Sequence, residues 1–185
     1  MLSDNLKEQT LANHQQLEKL LVGKIKSVAT EQDYINLLQL FYGYFGGLEK
    51  VIDQYIGKDQ LPDYNHRRKT DAIADDIASL GGTPVQEATG ADLPLIDDTA
   101  KAFGALYVIE GSTLGGSIIS KMISSKLGLQ NGLSFFNGYG EASHKMWGIF
   151  KAALNNLPEN DGQEIIRSAN DTFAGFDAWI KKSVA

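Results

Sequence analysis

The stretch GSTLGGS, residues 111–117, decides how the chain is read. Three glycines in seven residues ordinarily mark a loop, because glycine gives up the most backbone freedom when it is ordered. Yet both flanks, AFGALYVIE (102–110) and IISKMISSKL (118–127), carry apolar residues at helical spacing. A helix interrupted in its own middle has two readings. One is a plain loop; the other is a place that something approaches so closely that side chains would obstruct it.

Outward from this stretch, the rest of the chain reads as helices. All four prolines (Pro62, Pro84, Pro94 and Pro158) fall between periodic segments, where a helix ends without losing an internal hydrogen bond. A first helix is expected from about Ser3 to Val22, with Leu6, Leu17, Leu20 and Leu21 near one stripe and Gly23 as its stop. A second starts at Thr30, where Thr30 and Asp33 resemble a capping box, and runs through YINLLQLFYGYFGGLEKVIDQYI. YNHRRKTDAIADDIASL makes a third, stopped by Gly81 and Gly82, and the interrupted segment spans roughly 97–127. EASHKMWGIFKAALNNL and GQEIIRSANDTFAGFDAWIKK complete the set. No period-two alternation bounded by hairpin turns supports strands. The expectation is an all-α, single-domain helical bundle over residues 1–185.

Composition narrows the function classes. The 185 residues, 43% hydrophobic, suffice for one core that encloses a small molecule. A net charge of −6 argues against a broad basic surface for nucleic acid. There is no cysteine, hence no disulfide, thiolate ligand or cysteine nucleophile. MLSDNLKEQT has neither a basic start nor an apolar run, and LLQLFYGYFGGL (37–48) is too short to span a bilayer. A cytoplasmic protein without a membrane segment is expected.

Three histidines are candidates for chemistry. His66, in NHRRK, reads as part of a solvated helix start. His144 completes a Glu-x-x-His, the spacing of di-iron bundles, but no second such pair exists. His14 stands in LKEQTLANHQQLEKLL with Lys7 two turns back, and with Thr10 and Glu18 one turn to either side. That array suits an ordinary histidine paired with a carboxylate at i+4. It also meets what an iron ligand requires, a second ring nitrogen held by an acceptor.

LKEQTLANHQQLE (6–18) resembles the proximal helix of heme oxygenases, and GALYVIEGSTLGGSII (104–119) resembles their distal helix. FFNGYG (135–140), MWGIF (146–150) and ANDTFAGFDAWI (169–180) are similar to later landmarks of the bacterial biliverdin-producing members, especially the phytochrome-associated ones. The segments keep the family's order over nearly the whole chain. The resemblance implies heme held between a proximal helix and a distal helix kinked at a glycine pair, here Gly115 and Gly116. It implies oxidative cleavage of heme to biliverdin, ferrous iron and carbon monoxide, with O2 and electrons from an external ferredoxin or reductase. Heme would be both substrate and cofactor. His14 matches the iron ligand, Lys7 the base near a propionate, and Glu18 the acid that orients the histidine; Thr10 lies in the same array. Ser112, Gly115 and Gly116 would line the oxygen side.

Two positions depart from the family. Ser112 stands where mammalian-type members carry an aspartate that orders water, and Asn170 where relatives offer a basic residue to the propionates. Arg167, one turn earlier, is the substitute. A non-catalytic heme-storage protein on the same fold is the alternative. A thiaminase-like enzyme is disfavoured by the absence of cysteine, and an interaction bundle would make the histidine array mere packing. Relatives of this fold are often monomers, and the same is expected here.

Overall fold

In the computed structural model, which describes residues 1–183, nine α-helices and four short 3-10 turns form the protein, with no strand among the described residues. The first expected helix is two: α1 (Leu2–Gln9) and α2 (Leu11–Ser27). They meet at Thr10, whose backbone still joins the ladder on both sides but whose hydroxyl also donates to the Leu6 carbonyl at 2.8 Å. Such back-bonding loosens and bends a helix. Gly23 is not the stop, because α2 runs on to Ser27.

Helix α3 (Glu31–Ile52) starts at the expected capping box: Asp33 N–H donates to Thr30, and the Thr30 N–H donates back to the Asp33 carboxylate. It ends four residues earlier than its apolar pattern suggested. The third helix is shortened at its front. Residues 64–66 form a 3-10 turn, Arg67 is extended, and α4 covers only Asp71–Ser79. At its end Gly81 turns left-handed (φ +78°). Gly82 N–H reaches Ile77 O and Gly81 N–H reaches Ala78 O, closing a Schellman turn as expected.

Helices α5 (Thr99–Gly111) and α6 (Thr113–Leu127) are the interrupted segment. Their combined run is apolar and long enough to cross a membrane, yet its most apolar window is 61% buried within the protein, as for a core helix. A short α7 (Ser134–Asn137), then α8 (Ser143–Asn155) and α9 (Gly162–Ser183), complete the chain. The core is aromatic: Phe41, Tyr44 and Phe45 of α3 meet Phe135 and Phe136 of α7 and Phe176 of α9, with Tyr44 stacked on Phe176 at 5.0 Å.

Helix α5 crosses α9 at Gly104, where an added Cβ would lie 2.5 Å from the Ile165 carbonyl and 2.7 Å from the Ser168 Cβ. Gly104→Ala is therefore expected to cost about 1–3 kcal/mol through overpacking. Gly23 has nothing within 4 Å of its Cβ position, so Gly23→Ala should stabilise by about 0.5–1 kcal/mol. Thermal melts of the two variants check the opposite signs.

Candidate functional site

The break between α5 and α6 falls at Ser112, three residues before the glycine pair. Both glycines of the pair lie inside α6. Two hydroxyls make the elbow: Ser112 Oγ donates to Ile109 O at 2.6 Å, and Thr113 Oγ1 donates to Glu110 O at 2.7 Å. Hydroxyls inserted into a helix ladder are a recognised cause of bending. Ser112 has only one proton, and Ile109 takes it.

The elbow is braced by residues first read as solvated. Arg67 is 4% exposed and donates to Glu110 at 2.5 Å and to both carboxylate oxygens of Asp63. Arg68 donates to Phe135 O (3.0 Å), Ile109 O (3.1 Å) and Ser112 Oγ (2.7 Å). The Tyr139 hydroxyl accepts from Arg68 N–H and donates to Glu110. Burial pulls the Arg68 guanidinium down to about 10, against the Glu110 charge that raises it, so it remains cationic at neutral pH. Burial likewise pushes the Glu110 carboxyl up, and Arg67 and Arg68 draw it back. Of that run Asn65 and His66 are exposed as expected. Nothing local in NHRRK signals that its arginines pair 43 residues away.

The two glycines of the pair do different work. A Cβ on Gly116 would overlap the Phe136 carbonyl, so this glycine lets α6 lie on α7. Gly115 has nothing within 4 Å, and Gly111, one turn earlier, meets only the rim of Trp147 at 3.9 Å. Gly111 was missed in the sequence; its spacing of four from Gly115 was the available sign. Together with Leu114, Ile118 and Met122 they form an open apolar stripe along α6, with Ile118 70% exposed.

Helix α2 carries a second open stripe: Leu11, His14, Glu18 and Val22. The His14 ring lies 5.5 Å from that of Phe173 in α9. Neither it nor Glu18 has a side-chain hydrogen-bond partner among the described residues. The helices are tied near both ends. Thr10 meets the Tyr107 hydroxyl of α5, and Lys126 of α6 donates to Lys26 O at 2.9 Å. Thr10 is 2% exposed and serves this junction. Asn170 is half-buried. Its amide donates to Gln9 O and Ile166 O and accepts from Asn13, which leaves no N–H for a carboxylate. Lys7 and Arg167 are exposed, with no ion-pair partner among the described residues. Two surface hollows of about 480 and 750 Å3 lie elsewhere, one lined by Lys19, Gly23 and Asp177 on the side of α2 turned from His14.

The model of the family described as heme oxygenase matches residues 1–182. The chain belongs to the heme oxygenase family. It is similar to the heme oxygenase of Xanthomonas campestris pv. campestris, at 27% identity over 146 residues, 77% of this chain and 86% of that protein. With the heme oxygenase PigA of Pseudomonas aeruginosa it shares 27% identity over 179 residues, covering 93% and 87% of the two chains. Its fold is that of the NO- and CO-bound heme oxygenase of Neisseria meningitidis, with a TM-score of 0.84, 24% identity, and 99% and 92% coverage. The expected all-helical, single-domain heme oxygenase architecture is borne out.

The glycine assignments separate in stability alone. Gly116→Ala should destabilise the protein by about 1–3 kcal/mol, since a backbone carbonyl must move, whereas Gly115→Ala should be neutral or stabilising by up to about 1 kcal/mol. Denaturant unfolding without ligand measures both; equal losses would mean that Gly115 also faces protein.

Proposed function

We propose that this chain is an enzyme that opens heme oxidatively to biliverdin, releasing iron and carbon monoxide, with O2 and electrons from a separate donor. The observation that carries the reading is the open backbone stripe at Gly111, the last residue of α5, and Gly115 of α6 on one side and the unpartnered His14 of α2 on the other. A flat, largely apolar macrocycle needs walls of this kind: a surface without side chains on one side, an imidazole on the other, and apolar residues around its rim. Leu11, Val22, Leu114, Ile118 and Met122 supply the rim.

In this reading His14 is the iron ligand, and Phe173 behind it limits rotation of the ring. Glu18, one turn on, is the carboxylate within reach of the imidazole's second nitrogen. Lys7 and Arg167 meet the propionates, as point charge and as fork respectively. Gly111 and Gly115 let the backbone approach the ring face, and Gly116 seats α6 against α7 so that this approach is held. When bound, heme supplies the redox chemistry. The chain carries no Gly-x-Gly-x-x-Gly fingerprint, so a ferredoxin or reductase delivers the electrons; the site is proposed for a cytoplasmic monomer.

The alternative, a heme-holding protein without turnover, is not favoured, and Ser112 is the one position that raises it. Its one proton is committed to Ile109, so it donates no hydrogen bond to oxygen or water in the slot. Turnover separates the two.

Heme titrated into the wild type should give a one-to-one complex, and His14→Ala should weaken it roughly tenfold or more. Oxygen and ascorbate should then convert the wild-type heme bands into those of biliverdin; bands that persist would favour the storage reading. Lys7→Gln with Arg167→Gln should also weaken heme binding while changing unfolding stability by less than about 0.5 kcal/mol, as expected at exposed positions.

A further inference from the structure

We infer that Arg68 is the positioning residue of this site, and that its planar fork, more than its charge, sets the angle of the α5–α6 elbow. The inference rests on the heme reading above. Its Nη2 holds Ile109 O and Ser112 Oγ, both at the elbow, while its Nη1 holds Phe135 O of α7. Its guanidinium carbon stands 4.0 Å from the centre of the Phe135 ring. One rigid group thus spans the broken helix and the element against which α6 rests at Gly116.

The backbone of the same residue is fastened as well. Arg68 N–H donates to Tyr139, and Tyr139 donates to Glu110, whose own carbonyl accepts from Thr113 at the elbow. Ser112, with its proton spent on Ile109, can only accept from Arg68. Arg68 therefore gives position 112 its role, which is to be a handle for the guanidinium. A lysine in this place would bring the charge but one ammonium where three acceptors need a fork.

The elbow matters because it decides how Gly111 and Gly115 are presented. Both lie within three residues of Ser112, so a small rotation there tilts the open backbone relative to His14. Displacements on the order of 1 Å change the outcome of positioned reactions. The quantity most sensitive to such tilt is which edge of the ring is cleaved.

The test uses Arg68→Met and Arg68→Lys beside the wild type, each loaded with heme. Two readouts follow: the biliverdin isomer ratio after one turnover with ascorbate, and the infrared C–O stretching band of the ferrous carbonyl complex. Both variants should still bind heme, yet lower the isomer ratio at least about fivefold and split or broaden the C–O band. Wild-type ratio and band in both variants would overturn the inference. Full restoration by lysine alone would also overturn it, since charge would then suffice. If Arg68→Met does not fold, Arg68→Lys decides by the same criteria. A wild type that takes up no heme removes the functional reading itself, and the inference with it.

Discussion

A helix broken inside a protein must find donors for the carbonyls it turns out of its own ladder. At the α5–α6 elbow the carbonyls of Ile109 and Glu110 accept from side chains, and the donors are Ser112, Thr113 and Arg68. Buried backbone acceptors left unpaired are costly, so much of the surrounding structure exists to deliver and neutralise these groups. Arg67 and Arg68 bring two positive charges, and Glu110 and Asp63 balance them. Removing one partner would leave a buried charge alone, the case in which a buried pair costs most.

The same requirement explains α7, four residues that cannot hold a helix by themselves. The Asp76 carboxylate of α4 accepts from Ser134 N–H, the Ser134 hydroxyl and Phe135 N–H, acting as a cap borrowed from another helix. So fastened, α7 offers Phe135 O to Arg68 and the Phe136 carbonyl to the face of Gly116. The elbow and its bracket then leave Gly111 at the end of α5 and Gly115 in α6 open. On the other side Asn170 of α9 clasps the α1–α2 junction, and Phe173, one turn on, backs His14.

Local features were legible wherever their partners lie within a turn or two. The capping box at Thr30, the Schellman glycines after α4 and the apolar periodicity of α3, α5, α8 and α9 all draw on neighbours in sequence. His14 and Lys7 were legible as an array because a helix places them on nearly one face. The failures share a cause as well. NHRRK looks like surface because charge is usually solvated, and only the fold brings Glu110 to Arg67. The contacts of Thr10 and Asn170 were not legible because their partners, Tyr107 for one and Gln9 and Asn13 for the other, come from separate helices. The place of the break at Ser112 has the same origin, since hydroxyl back-bonding competes with the ladder only where a third group accepts the new geometry.

The sequence by itself determined an all-helical chain, its proline and glycine boundaries, an interrupted central helix and a separate histidine-bearing one, because these depend on backbone propensity and periodicity; that the two face each other was implied only by the family resemblance. The tertiary structure alone decided which glycine is open and which is filled by Phe136, which arginines are buried, and that the proton of Ser112 is spent. The glycine and arginine outcomes depend on the rotation of α6 about its axis and on contacts 20 or more residues apart, and the Ser112 outcome on the backbone geometry at the break, none of which a local pattern encodes.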